Sequence, residues 1–176
     1  MSASPQPTLA SLNSCDRGAF VAAIGPIFEH SPWVAEETFS KRPFRDLDGL
    51  HAALCGTMLG AAPERQIALV RAHPDLAGRL ARAGGLTAAS AREQSAAGLD
   101  RLSDGESREL ERLNESYTAR FGFPFVICAR LNAKEAILSA MRSRVAHTRE
   151  AELSTALGEI AKIARLRLNE AVKKEN

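Results

Sequence analysis

Apolar residues recur at helical spacing along almost the whole chain, and this periodicity constrains the fold more than any other feature of the sequence. Two clear stripes are Leu47, Leu50, Leu54 and Met58, and, near the C-terminus, Leu153, Leu157, Ile160, Ala164 and Leu168. Residues spaced in this way lie on one face of an α-helix and can pack together in a core. An alternating strand pattern occurs at most over 125–127, which is too short to matter. The sequence therefore predicts an all-α protein.

Capping residues mark where these helices begin and end. The signals are Asp16, Pro63, Thr87, the capping box Ser103–Glu106 and the similar pair Asn132–Glu135 at helix starts, and Gly98 at a helix end. The first turn of a helix leaves backbone N–H groups unbonded, and the last turn leaves carbonyl groups unbonded. Capping side chains bond these N–H groups, and proline at the first position has no N–H group to leave unbonded. These signals divide the chain into roughly seven or eight helices, the last from about 149 to 172. We predict a flexible N-terminal arm over 1–14 and a single compact domain over 15–176, without significant β-sheet.

Charge and cysteine content exclude several classes of protein. The chain has 176 residues, a length typical of one domain, and a net charge of only +2. Without a basic surface, binding to nucleic acid or to an anionic membrane is not expected. No apolar stretch is long enough to span a bilayer, and the N-terminus does not resemble a signal peptide. Cys15, Cys55 and Cys128 lack metal-ligand spacing, so we expect reduced thiols in a cytoplasmic protein.

The first polar motif is His73-Pro74-Asp75-Leu76-Ala77-Gly78. Pro74 disfavours helical geometry in the residue before it, so His73 is expected where a helix ends. The C-terminal end of a helix favours a protonated imidazole, and a histidine there can donate or accept a proton near neutral pH. Alternatively, His73 is only a turn residue and Asp75 caps the next turn.

The second motif is Ser90-Ala91-Arg92-Glu93-Gln94. At about 100° per residue, Ser90, Glu93 and Gln94 lie on one face of a helix, with the small Ala97 beside them. This face carries a hydroxyl, a carboxylate and an amide, which can all bind a polar ligand. A solvated face of a short helix would show the same pattern, so the periodicity leaves both interpretations open.

A third stretch, 121–128, combines the helix breakers Gly122 and Pro124 with phenylalanines at 121, 123 and 125, which require burial. A buried irregular backbone must bond its N–H and C=O groups to side chains or to a ligand. Cys128 has no partner base nearby in the sequence, so we interpret it as a small buried wall residue.

In the last predicted helix, Arg167 projects between Ile160 and Ile163, whereas Arg165 falls on the other side, toward Lys162. An arginine on an apolar flank either extends from the core edge to solvent or faces a pocket. In a pocket it can hold a carboxylate or a ring carbonyl.

These motifs, in this order, resemble those of the 2-oxo-4-hydroxy-4-carboxy-5-ureidoimidazoline (OHCU) decarboxylases of urate degradation. The resemblance runs from about Phe20 to Leu168. The matching segments are 28–36, Arg42-Pro43-Phe44, 73–78, 90–98, Leu113-Asn114 with Tyr117, and 121–128. It implies an all-helical, cofactor-free and usually homodimeric enzyme that converts OHCU to (S)-allantoin and carbon dioxide.

The resemblance also implies which residues act. It assigns catalysis to His73, Glu93 and Arg167. It assigns substrate binding to Pro74, Ser90, Ala91, Arg92 and Gln94, and to the segment Phe125, Val126, Ile127, Cys128 and Ala129. On this hypothesis Glu93 orients the substrate and His73 donates the proton. Arg167 and backbone N–H groups near 126–128 stabilise the developing negative charge.

Other functions fit parts of this pattern. His73-Pro74-Asp75 also occurs in J-domain co-chaperones, but these have a strongly basic helix before the tripeptide, and here that helix offers only Arg65 and Arg71. A non-catalytic binding or scaffold domain of the same helical fold is the main alternative. A metal site would have to use His30, His51, His73 and Glu93, which show no helical ligand spacing, so no metal is expected.

Overall fold

The computed structural model describes residues 6–78, 81 and 83–173. These residues contain the α-helices α1 (Leu9–Ser14), α2 (Arg17–Ile24), α3 (Trp33–Thr38), α4 (Leu47–Leu59), α5 (Pro63–Arg71), α6 (Ala88–Ala96), α7 (Asp104–Phe121), α8 (Lys134–Arg144) and α9 (Arg149–Ala171). Short 3-10 turns lie at Gly25–Ile27, Phe39–Lys41 and Ala129–Leu131. In the described ranges, β-type pairing is limited to one bridge between Thr8 and Lys173. The predicted all-α class is confirmed.

The contacts within the chain group into two compact units. The first unit comprises Met1–Leu69 and Ala161–Asn176, and the second comprises Val70–Ile160. Helix α9 therefore contributes its first half to the second unit and its second half to the first. Each unit buries apolar side chains of its own.

In the first unit, helices α2, α3 and α4 pack together. Phe20 and Ile24 of α2 and Leu50 and Leu54 of α4 are completely buried. Leu50 and Leu54 belong to the helical stripe that the sequence predicts over 47–58. Burying such side chains stabilises a fold by about 1.5–3 kcal/mol each, which is why an amphipathic helix forms stably only with a partner.

Residues 9–14 form helix α1, although the sequence analysis assigns them to a flexible arm. The reason is a tertiary contact with Arg42. Its guanidinium donates hydrogen bonds to the carbonyl groups of Leu12, Asn13 and Cys15 at 3.0, 3.2 and 2.8 Å. The end of a helix leaves such carbonyls unbonded, so a distant arginine can stabilise a short helix that would not persist alone.

In the second unit, four aromatic side chains between 117 and 125 form a buried cluster. The ring of Tyr117 lies 4.5 Å from that of Phe121 and 5.4 Å from that of Phe125, between centroids. Phe123 stacks on Phe121 at 6.0 Å. Gly122 ends α7 with a φ of 76°, a left-handed conformation that costs glycine little. The phenylalanines predicted to be buried are therefore buried, with a sharp turn of the chain between them.

The helix caps agree with the sequence at all but one of the predicted sites. The confirmed signals are Asp16, Pro63, Thr87, Gly98 and the capping box Ser103–Glu106. The predicted cap at Asn132 is wrong, because α8 begins at Lys134 and has no side-chain cap. Instead, Asn132 donates through Nδ2 to the carbonyl of Cys128 at 3.0 Å. The side-chain amide of Asn132 thus bonds the turn before it and does not cap α8.

A buried carboxylate joins several elements of the second unit. Glu152 on α9 is 0% exposed, and it accepts hydrogen bonds from Arg144 on α8, from Tyr117 on α7 and from His147. Burial by itself would raise the pKa of the Glu152 carboxyl. The hydrogen bonds from Arg144, Tyr117 and His147 outweigh burial and lower that pKa. Glu152 is therefore held as an anion in the core.

We predict that replacing Glu152 by Gln destabilises the protein by about 3 kcal/mol at neutral pH, because Arg144 loses its buried counterion. A carboxyl whose pKa is lowered by folding makes its full contribution to stability when the pH is above its ordinary pKa of 4.5. That contribution is lost as the pH falls through the lowered, folded-state pKa. The difference in unfolding free energy between wild type and Glu152→Gln, measured by denaturant titration, should therefore narrow below pH 4.5.

The control is Glu109→Gln, which removes a partner of Arg142 at the protein surface, where the arginine side chain is 53% exposed. A surface pair contributes less than about 1 kcal/mol, so this variant should stay close to wild type. A Glu152→Gln difference that is the same at pH 7 and at pH 3 would contradict the assignment of a buried carboxylate ion.

Candidate active site

His73 lies just beyond the end of α5. The helix ends at Arg71, the N–H of His73 still bonds the carbonyl of Val70 at 3.1 Å, and Pro74 then turns the chain away. The side chain is buried, with 8% of its surface exposed. His73 is therefore not an exposed turn residue, and its place in a site stays a prediction.

Two buried amides hold the loop that follows His73. Gln94 accepts the N–H of Ala77 through Oε1 at 2.8 Å, and its Nε2 donates to the carbonyl of Asp75 at 3.5 Å. Asn114 of α7 donates through Nδ2 to the carbonyl of Leu76 at 3.0 Å. Ala77 has a φ of 45°, which is uncommon for a residue with a Cβ and persists where surrounding bonds enforce it. The loop is therefore fixed by Gln94 of the second motif and by Asn114 of the segment Leu113-Asn114.

Helix α6 turns the predicted polar face inward. Ser90, Gln94 and Ala97 are buried and Glu93 is half-buried, whereas Ala91 and Arg92 are exposed. The alternative of a solvated face is thus excluded for this helix. Because the Gln94 amide already bonds the loop after His73, it supports that loop, a role that the sequence does not reveal.

The segment 125–129 is buried throughout and lies next to α6. The connection is the 3-10 turn Ala129–Leu131, which packs against that helix. Cys128 is 1% exposed, as expected of a wall residue, and all three cysteines are free thiols. The second unit therefore brings together the three motifs 73–78, 90–97 and 121–128, which are separated in the sequence.

Two buried charged side chains bond the backbone of this segment. Arg144 donates through Nη1 to the carbonyl of Val126 at 3.0 Å. Glu159 of α9 accepts the N–H of Cys128 at 2.8 Å. The N–H of Cys128 therefore already has a carboxylate partner, and the role of the N–H groups near 126–128 as substrate donors stays a prediction. Among the residues that the structure describes, none bonds the backbone N–H or C=O of Ile127.

Arg167 belongs to the first unit and is 7% exposed. It forms a buried ion pair with Glu29, in which Nη1 lies 2.9 Å from Oε2. Arg165 instead pairs with the exposed Asp48 and is 30% exposed, so the helical-wheel distinction between the two arginines is confirmed. No local pattern in the sequence pairs Arg167 with Glu29, although the neighbouring Phe28 indicates that this segment is buried.

A cavity of about 430 Å³ lies in the second unit beside the contact between the loop and α6. Ala77, Ala91, Gln94 and Ser95 are among its lining residues, but neither His73 nor Glu93 is. It is therefore not where the predicted catalytic groups meet.

Across 6–78, 81 and 83–173, no group of three or more His, Cys, Asp or Glu side chains is arranged to hold a metal ion. No helix within those ranges is both long and apolar enough to cross a bilayer.

Known proteins resemble this chain over almost its whole length. The family model described as OHCU decarboxylase matches residues 13–169. The 2-oxo-4-hydroxy-4-carboxy-5-ureidoimidazoline decarboxylase of Haloferax volcanii is 45% identical over 168 residues, which cover 96% of this chain and 98% of that protein. The uric acid degradation bifunctional protein PucL of Bacillus subtilis is 39% identical over 165 residues, 94% of this chain and 33% of that protein.

A solved structure of (S)-allantoin synthase is similar with a TM-score of 0.76 and 28% sequence identity, over 97% of this chain and 55% of that chain. The match to the family model extends from the first unit through the whole of the second and back into the first. Together with the identity to the Haloferax volcanii enzyme, this shows that the chain belongs to the OHCU decarboxylase family, a family of carboxy-lyases.

Proposed function

We propose that this protein decarboxylates OHCU to (S)-allantoin and carbon dioxide as a step of urate degradation. The observation that carries the proposal is the meeting of the segments 73–78, 90–97 and 125–131 within one compact unit. The names of the relatives support the substrate and the product, since one is an OHCU decarboxylase, one acts in uric acid degradation and one is an (S)-allantoin synthase.

The reaction removes one carboxylate and places one proton. In OHCU, one ring carbon carries both the carboxylate and a hydroxyl, and the adjacent carbon carries the ureido group. When carbon dioxide leaves, the electron pair of the broken carbon–carbon bond passes into the adjacent unsaturated ring atoms. The ring nitrogen that receives the electron pair gains a proton. The hydroxyl then loses its proton and becomes a ring carbonyl, while the ureido-bearing carbon gains a proton, so that one proton is taken up overall. The face that receives this proton decides the configuration, so the donor must act from one fixed direction.

We assign the proton transfer to His73. Imidazole is the side chain best suited to accept and donate protons near neutral pH. The loop after His73 is held by Gln94 and Asn114, which limits the directions from which the imidazole can reach a substrate. A fixed acid of this kind accounts for a single product configuration.

Substrate orientation is assigned to α6 and to the third motif. The ureido group and the ring offer N–H donors and carbonyl acceptors. Glu93 can accept the N–H groups, and the hydroxyl of Ser90 can donate or accept. The N–H and C=O of Ile127 add a backbone donor and acceptor next to each other. Charged and backbone groups held in place before binding orient a substrate at little entropic cost.

The remaining assignments from the resemblance stay predictions. Arg167 is held by Glu29 in the first unit, and its role toward a carboxylate or carbonyl of the substrate is tested by Arg167→Lys kinetics. Ala91 and Arg92 are exposed on α6, and Pro74 adjoins His73.

A homodimer and a cytoplasmic location are also proposals, made from the resemblance and from the cysteine content. Light scattering of the purified protein gives its mass in solution and tests the dimer directly.

We predict that His73→Asn lowers kcat by about 10²- to 10⁴-fold, because it removes the proton donor. The measurement is the circular dichroism of allantoin formed from fresh OHCU, corrected for the racemic product of unaided breakdown. Unchanged thermal unfolding would show that the loss is chemical. Full activity of the variant would refute the assignment of His73.

The matched control is His30→Asn. His30 is exposed and has a φ of 45°, a conformation that asparagine adopts more readily than most residues. Its activity should equal that of the wild type. Equal losses in both variants would point to a general effect of the substitution and would count against a specific role for His73.

We predict that Glu93→Gln lowers kcat/KM by about ten- to a hundredfold, since hydrogen bonds to a charged group contribute about 1.5–3 kcal/mol. Steady-state kinetics with OHCU measure this, and Glu64→Gln, at the exposed start of α5, is the control. If Glu93→Gln and Glu64→Gln have the same kcat/KM as the wild type, Glu93 does not bind the substrate.

A further inference from the structure

Two buried charged side chains hold the third motif, and the mechanism above does not use either of them. They are Arg144 on α8, 7% exposed, and Glu159 on α9, 9% exposed. They bond backbone groups two residues apart, the carbonyl of Val126 and the N–H of Cys128. Between these groups lies Ile127, whose own backbone N–H and C=O bond none of the described residues.

Arg144 reaches the segment from a fixed position. Its Nε and Nη2 atoms bond Oε2 of Glu152 at 3.1 and 2.9 Å, which orients the plane of the guanidinium. The third nitrogen, Nη1, then points to the Val126 carbonyl. The guanidinium carbon also lies 4.3 Å from the ring centroid of Phe125, a cation–π contact. One side chain thus fixes both the ring and the carbonyl of consecutive residues.

Glu159 acts at the other end of the same short stretch. Its Oε2 atom accepts the N–H of Cys128 at 2.8 Å, a charge-assisted bond. The carbonyl of Cys128 is bonded by Asn132 and by the N–H of Leu131. The peptides on both sides of Ile127 therefore cannot rotate without breaking bonds to buried groups.

We propose that Arg144 and Glu159 are positioning residues that aim the N–H and C=O of Ile127 at the substrate ring. This rests on the proposed function, because it assumes that the segment 125–129 binds OHCU. The two side chains touch the backbone from the core and not the substrate itself. A substrate held in one orientation by Ile127 presents one face to the proton donor, so the two residues control the configuration of the product.

Stability alone does not explain this arrangement. Apolar side chains of similar volume in place of a buried ion pair are often neutral or stabilising, so a core does not need such charges to fold. Arg144 and Glu159 do what apolar side chains cannot do, because they make directional bonds to chosen backbone atoms.

The experiment compares Glu159→Leu, Glu159→Gln and Arg144→Lys with wild type. Leu removes the acceptor, whereas Gln keeps an oxygen that can accept the Cys128 N–H. Lys keeps the buried positive charge beside Glu152 and so favours folding, but it lacks the planar set of donors that reaches Glu152 and Val126 together. The matched controls are Glu150→Gln on α9 and Arg142→Lys on α8, both exposed.

For each protein, kcat, KM, thermal unfolding and the (S) excess of allantoin are measured, the last extrapolated to high enzyme concentration. We expect Glu159→Leu and Arg144→Lys to lower kcat by about ten- to a hundredfold and to reduce the (S) excess. Glu159→Gln should stay within about threefold of wild type, because it restores the acceptor. Loss of folded protein lowers total activity but does not change the configuration made by the molecules that remain folded.

Folded Glu159→Leu and Arg144→Lys variants that keep wild-type kcat and (S) excess would overturn this inference and leave the proposed function standing. A wild-type protein that forms no excess of (S)-allantoin would overturn the proposed function and this inference with it. If Glu159→Leu does not fold, the inference is tested with Arg144→Lys alone, through its kcat and its (S) excess.

Discussion

The buried ion pair of Glu152 and Arg144 is the interaction on which the second unit depends. An ionised carboxylate is stable in an apolar core only when several donors surround it, and Arg144, Tyr117 and His147 do so here. These donors come from different elements, so satisfying one charge sets the relative positions of α7, α8 and the start of α9. Arg144 then extends the same constraint to the carbonyl of Val126.

The loop after His73 depends on a second constraint of the same kind. Irregular backbone cannot satisfy its own polar groups, and burying it requires partners for them. Gln94 and Asn114 supply those partners through side-chain amides, which bond N–H and C=O groups without introducing charge. The position of the imidazole is consequently tied to α6 and α7, and the catalytic proposal for His73 rests on that rigidity.

Local patterns predicted the helices well because a helix is made of interactions between residues three or four apart. The caps at Asp16 and Thr87 and the grouping of Ser90, Glu93 and Gln94 on one face of α6 are all properties of a single turn or a few turns of chain. That this face points inward was decided by packing, because the periodicity left it open. The preference for Arg167 over Arg165 follows from the same periodicity. What periodicity could not supply is Glu29, the partner of Arg167, which lies 138 residues away in the chain.

The sequence by itself therefore determined the helical class, most helix ends, the three motifs and the family to which their order points. Tertiary structure alone decided that residues 9–14 are helical, since the carbonyls of that short helix are bonded by Arg42. It also decided which backbone groups of the third motif are bonded by the protein's own side chains. The N–H of Cys128 is taken by Glu159, 31 residues away, because a buried donor must find an acceptor wherever the packed chain brings one within reach.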